Sequence, residues 1–207
     1  MTFLTDFADQ AVILPLVLAV AAVLALQGWP RGAIAWLLVV GATFATMLFL
    51  KLIFLACAPV FGAWHTRSPS GHVAAATVVA GGLAFILTRR PLIILPVALA
   101  VSVLIAASRV ALQVHSLPEV VLGSLVGLAG TVAFLYLAGP PRRVRPTPVL
   151  ASVAAVVVVF HGSHLPAEAV ILRSALQFAD YIPACRTPPT ASLAEAAVPP
   201  LSGQVRP

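Results

Sequence analysis

Charge is the scarcest property of this sequence. Of 207 residues only 9% are charged, while 61% are apolar, so too little polar surface exists to coat a water-soluble globule. Cysteine is nearly absent too. Cys57 and Cys185 cannot build a disulfide framework; a single bridge stays open if both face an oxidising compartment, and two unpaired thiols are expected. Residues 1 to 10 hold Asp6 and Asp9 but no Lys or Arg, whereas a cleaved signal peptide needs a basic start. The first apolar run is therefore expected to stay as a helix. No internal repeat is evident.

Apolar runs fill roughly residues 11–28, 33–57, 72–88, 91–108, 119–138 and 148–164, and a helix needs about 20 apolar residues to cross about 30 Å of hydrocarbon. The expectation is an all-α integral membrane bundle of about six helices. The net charge of +6 does not point to nucleic acid, because the basic residues sit mostly in short connections. Three of these loops, rich in Gly, Pro and Arg, would share one membrane face. They hold Arg31, Arg89, Arg90, Arg142, Arg143 and Arg145, half of the 12 Lys and Arg. The six acids, Asp6, Asp9, Glu119, Glu168, Asp180 and Glu195, fall on the opposite face or in the termini belonging to it. The arginine-bearing face is expected to be cytoplasmic and both termini outside.

Three segments follow: 1–165 a transmembrane domain, 166–182 an amphipathic helix lying on the outer surface, and 183–207 a Pro-rich tail without a periodic apolar face. Trp29, Trp36 and Trp64 lie near predicted helix ends and read as interface markers, with Trp64 close enough to touch a substrate. His161 and His164 lack a nearby acidic or cysteine partner and read as a solvated helix end, not a metal site.

Polar residues interrupt this background in three places: Lys51, Ser68 to His72, and Ser108 to Glu119. Alternating helices put all three at the outer face. Ionisable groups at a membrane boundary need a partner or a task, and their convergence points to an anionic ligand. In Ser68-Pro69-Ser70-Gly71-His72 a serine can cap a helix, proline suits its first turn, and Gly71 admits close backbone approach, as at an anion-binding helix N-terminus. Taken alone, the segment reads better as an ordinary helix start with an incidental histidine. In the third cluster Arg109, His115 and Glu119 supply a phosphate fork, a nucleophilic nitrogen and a carboxylate one helical turn on. Pro118 is acceptable only in a first turn, so a helix should begin near Ser116, with His115 at its mouth.

Across residues 51–130 the chain resembles the type 2 phosphatidic acid phosphatases, membrane lipid phosphatases related in their core to vanadium haloperoxidases and bacterial acid phosphatases. The resemblance rests on Lys51 and Pro59, on Pro69-Ser70-Gly71-His72, and on Ser108-Arg109 followed five residues later by His115. Two positions depart from the family pattern: Ala58 stands in place of arginine and Glu119 in place of aspartate. Losing one transition-state donor can cost on the order of a hundredfold in rate, and Arg67, with His65 nearby, lies in the same loop and could substitute.

The resemblance implies in-line attack by His115 on phosphorus, with Lys51, Arg109 and the amides of Ser70 and Gly71 neutralising the equatorial oxygens and Glu119 orienting His115. It implies that His72 protonates the leaving oxygen and then activates water, with no metal and no cofactor. The implied substrate is a lipid phosphomonoester or an isoprenoid pyrophosphate, met in the cytoplasmic (inner) membrane of a bacterium with the site facing outward. A phosphotransferase, or a homologue without catalysis that binds lipid or acts as a scaffold, are the alternatives.

Overall fold

The computed structural model describes residues 8–57, 68–88, 90–139, 144–163, 167–179 and 185. Those residues form seven helices: α1 (Gln10–Leu26), α2 (Pro30–Ala56), α3 (Gly71–Thr88), α4 (Pro91–Ala111), α5 (Leu117–Ala138), α6 (Pro146–Phe160) and α7 (Ala167–Ala179). Proline stands in the first turn of α2, α4, α5 and α6, where its missing N–H costs nothing. Helix α1 stops in a Schellman turn at Gly28, with φ of 78°. Trp29 N donates to Leu24 O and Gly28 N to Ala25 O, the bond pair of that motif.

Four helices, α2 to α5, are long and apolar enough to cross a membrane, which makes this a multi-pass membrane protein. The other two apolar helices, α1 and α6, have 17 and 15 residues, or about 26 and about 22 Å at 1.5 Å per residue. Four candidate spans thus stand where about six were expected. Large apolar side chains face outward, among them Leu18, Leu38, Leu92, Leu125 and Val158, as suits a lipid solvent.

Helix α3 is the hub. It packs on α2, α4 and α5 and touches α1, while α6 lies on α1 and α7 on α2. Small residues let α5 approach it. A Cβ added at Gly127 would sit 2.6 Å from Thr77 Cβ and 2.7 Å from the carbonyl oxygen of Ala74, and Gly123 and Thr131 continue the same contact line toward Ser70 and Gly81. Polar side chains inside the bundle bond mostly to their own helix: Thr43 to Val39 O, Thr77 to Val73 O, Thr131 to Gly127 O. Ser102 Oγ joins α4 to α5 through Ser124 Oγ at 2.8 Å. These hydroxyls need not face lipid unpaired.

Contacts between helix ends sort the connections into two sets. At one end Gln27 exchanges hydrogen bonds with the backbone of Arg145, Arg31 Nε donates to Leu137 O, and Trp29 meets Phe85. The arginine-bearing connections thus share that end as far as Arg31, Arg90 and Arg145 represent them; Arg89, Arg142 and Arg143 lie outside the described residues.

Two expectations need correction. Trp29 and Trp36 are core residues, not interface markers: Trp36 is fully buried and its Nε1 donates to Val17 O at 2.9 Å, so the bundle itself satisfies the indole. Trp64 lies outside the described residues. Cys57 and Cys185 form a disulfide across 128 positions, not two free thiols. The bridge ties the segment read as a tail to the end of α2, because the fold brings the two backbones to a Cα separation of 4.5 Å.

Gly127→Val should lower the thermal midpoint in detergent, since overpacking a filled contact costs about 1–3 kcal/mol. Gly41→Val, where a Cβ meets nothing within 4 Å, should leave the midpoint near that of the parent.

Candidate active site

The remaining helix ends carry the polar clusters, and they meet. Lys51 lies on α2 less than two turns from its end, buried to 3% exposure. Its Cε would stand 3.6 Å from a Cβ built on Gly71, so the chain's one lysine reaches the first residue of α3. Helix α3 starts at Gly71 and not earlier, leaving Pro69 ahead of the helix instead of inside its first turn.

Arg109 and His115 are brought together by the way α4 ends. Gln113 adopts φ of 59°, with Gln113 N donating to Val110 O and Val114 N to Arg109 O. This is a second Schellman turn, with glutamine where glycine is favoured. The left-handed residue costs roughly 1–2 kcal/mol and turns the chain back within the five residues separating guanidinium from imidazole. Ser116 then caps α5 with Pro118 in its first turn, as the sequence predicts.

Glu119 closes the arrangement. Its Oε2 accepts from His115 Nδ1 at 2.8 Å and from Ser116 N at 3.0 Å, and its Oε1 accepts from Ser68 N at 2.9 Å. Its backbone oxygen accepts from Ser70 N at 3.0 Å. One residue, 4% exposed, thus fastens the Ser68–His72 segment to His115. The longer side chain suits this: as the third residue of α5 it reaches back over the helix start, the acidic half of a capping box. The Ser70 amide, expected to face an anion, is instead spent on Glu119. Beneath, Gly123 leaves room for the Ser70 carbonyl, which a Cβ would strike; no sequence motif marked that glycine.

A carboxylate only accepts, so the hydrogen of His115 sits on Nδ1 and the lone pair of Nε2 is left for chemistry. Burial holds the His115 pKa below the ordinary histidine value of 6.5; the Glu119 hydrogen bond and charge oppose this, and the charges of Arg109 and Lys51 reinforce it. Arg109 and Lys51 are thus both near enough for their charges to bear on this ring. Among the described residues, the hydroxyls of Ser68, Ser70 and Ser116 are buried without a hydrogen-bond partner, and the first amides of α3 point out of the helix start. Spare donors and two cations around a neutral imidazole make a site for an oxyanion.

His72, in the first turn of α3, follows directly on the Ser68–Gly71 segment that Glu119 holds, and its Nε2 is 3.9 Å from Asp9 Oδ2. The two histidines therefore lie at the same end of the bundle. An aspartate immediately before an apolar run signals a helix cap, but nothing local in the sequence marks the approach of Asp9 to His72. Arg67, His65, Ala58 and Pro59 lie outside the described residues. His161 ends α6, and His164 lies outside the described residues.

The profile of the PAP2 superfamily matches residues 10–143. The chain belongs to that family, the type 2 phosphatidic acid phosphatases. Membership gives phosphatase or phosphotransferase chemistry on a phosphate ester, at a membrane. No curated protein and no solved structure matches the chain.

The αL turn gives a separable test of how this site is built. Gln113→Gly should keep activity and raise stability by up to about 1 kcal/mol. Gln113→Val should lower both the thermal midpoint and turnover, because a β-branched residue resists φ above zero.

Proposed function

We propose that this protein is a lipid phosphatase that hydrolyses a lipid phosphomonoester or pyrophosphate through a phosphohistidine on His115. The observation that carries the reading is the grip of Glu119 on His115 Nδ1, which leaves Nε2 as the nucleophile of a ring on which the charges of Lys51 and Arg109 act. The phosphoryl group then sits between these cations, the Gly71 amide and the Ser70 hydroxyl, with charge complementary to its equatorial oxygens. In this reading Arg67, five residues ahead of His72 in the sequence, supplies the guanidinium absent at Ala58. His72 protonates the leaving oxygen, then removes a proton from the water that cleaves the phosphohistidine. The cationic side chains supply the charge, so the reaction as derived calls on no metal.

A site at the bundle's end, beside outward-facing leucines, admits a headgroup while the acyl chains stay in lipid. The arginine-bearing end faces the cytoplasm by the charge rule, placing the site outside, in the inner membrane of a bacterium. Cys57 follows Lys51 by less than two helical turns, and its bridge to Cys185 supports oxidising surroundings for that end.

His115→Ala should abolish turnover on a panel of phospholipid phosphates and polyprenyl pyrophosphates, and rapid quench of the parent should trap an acid-labile phosphoprotein. A His115→Ala protein that still turns over, or a parent that never labels, would refute the reading. Free phosphate as product, not a phosphorylated alcohol, marks hydrolysis over transfer.

The pH dependence has a defined sign. A protonated ring cannot attack, and burial lowers the His115 pKa, so the acidic limb of phosphohistidine formation should fall below the ordinary histidine value of 6.5. Glu119→Gln removes an interaction that raises that pKa and should move the limb further toward acid while lowering the plateau rate.

A further inference from the structure

Asp9 stands at the very start of α1, more than 40 positions ahead of Lys51, yet it reaches the outer cluster. Its Oδ1 accepts from Ala11 N at 2.8 Å as the cap of α1, and its Oδ2 lies 3.9 Å from His72 Nε2. The neighbouring Ala8 packs with Val73, Ala76, Ile105 and Val120, which wedges the start of α1 against α3, α4 and α5. The carboxylate is therefore fixed on one side by a backbone amide and on the other faces an imidazole.

The cap alone does not call for a charge. Serine and asparagine cap a helix as well as aspartate, and Asp9 is only 9% exposed, where an ionised carboxylate is costly unless a cation or donors meet it. The other charged groups described at this end are Lys51, Arg109, His115 and Glu119. Glu119 is committed to His115 and to the backbone of Ser68 and Ser116, while the two cations disfavour a third positive charge nearby. Asp9 is the acid placed on His72.

We propose that Asp9 is the positioning residue of His72, an inference that rests on the proposed phosphatase reading. Asp9 keeps a proton on Nε2 and stabilises the imidazolium, so that Nδ1 alternates between acid and base. At 3.9 Å the pair becomes ionic only when the ring carries its second proton, and catalytic contacts that are long in an unliganded site tighten in the reacting complex. In the first step the bond from His115 Nε2 to phosphorus forms as the bond from phosphorus to the ester oxygen breaks. The proton on His72 Nδ1 passes to that oxygen, which leaves as an alcohol. Water then gives a proton to the same nitrogen while its oxygen bonds to phosphorus, the phosphorus–nitrogen bond breaks, and inorganic phosphate departs.

A positioning residue of the general acid matters only for a leaving group that needs a proton. The test is single-turnover phosphohistidine formation by the full chain in detergent, with dodecyl phosphate and with 4-nitrophenyl phosphate, whose phenolate leaves unprotonated. The Asp9→Asn variant keeps a side-chain oxygen to cap α1 and should keep the thermal midpoint. It should slow the alkyl ester about tenfold more than the aryl ester, part of the roughly 10²–10⁴-fold a general acid supplies, and Asp9→Glu should recover part of that gap. An equal loss on both esters, or no loss on either, overturns the role of Asp9 while leaving the phosphohistidine reading intact. If the parent forms no phosphohistidine with either ester, the phosphatase reading fails and the role of Asp9 fails with it.

Discussion

The site depends on one buried carboxylate. Glu119 binds the His115 ring, the start of its own helix and the backbone ahead of α3, so the two segments that carry the histidines are positioned by a single side chain. Its negative charge, removed from water, is met by three donors, which is what makes the burial tolerable. With the ring hydrogen held on Nδ1, the opposite nitrogen keeps its lone pair. Orientation, tautomer and the joining of two loops follow from the same set of bonds.

That set needs a rigid base, and the bundle supplies it without a hydrophobic effect between helices. In lipid, packing contacts and internal hydrogen bonds drive association. The line of Gly123, Gly127 and Thr131 on α5 lets α3 come close enough for backbone contact, and the Gly123 end of that line supports the Ser70 carbonyl directly. Packing in the membrane and geometry at its boundary are thus one structure: a shift of α5 against α3 would move Glu119 relative to Ser68.

Much of this was legible in the chain. Helix existence followed from apolar runs, and the start of α5 from Pro118 and Ser116, because these are local preferences. The motif residues Lys51, His72, Arg109 and His115 could be picked out because charge is rare in such a background. The misreadings concerned contacts between distant segments. Trp29 and Trp36 lie near helix ends in sequence, but their depth depends on neighbouring helices; the Cys57–Cys185 bridge and the use of the Ser70 amide depend on where other parts of the chain pass.

Composition, periodicity and spacing act along the chain, and they were enough to specify a helical membrane protein with its rare ionisable residues gathered at one set of helix ends. It took the packed fold to bring Glu119 across to Ser68, to set Asp9 against His72, and to make Gly123 the gap that admits the Ser70 carbonyl. Those are pairings between residues far apart in order, and side-chain reach across a helix interface is written in no local pattern.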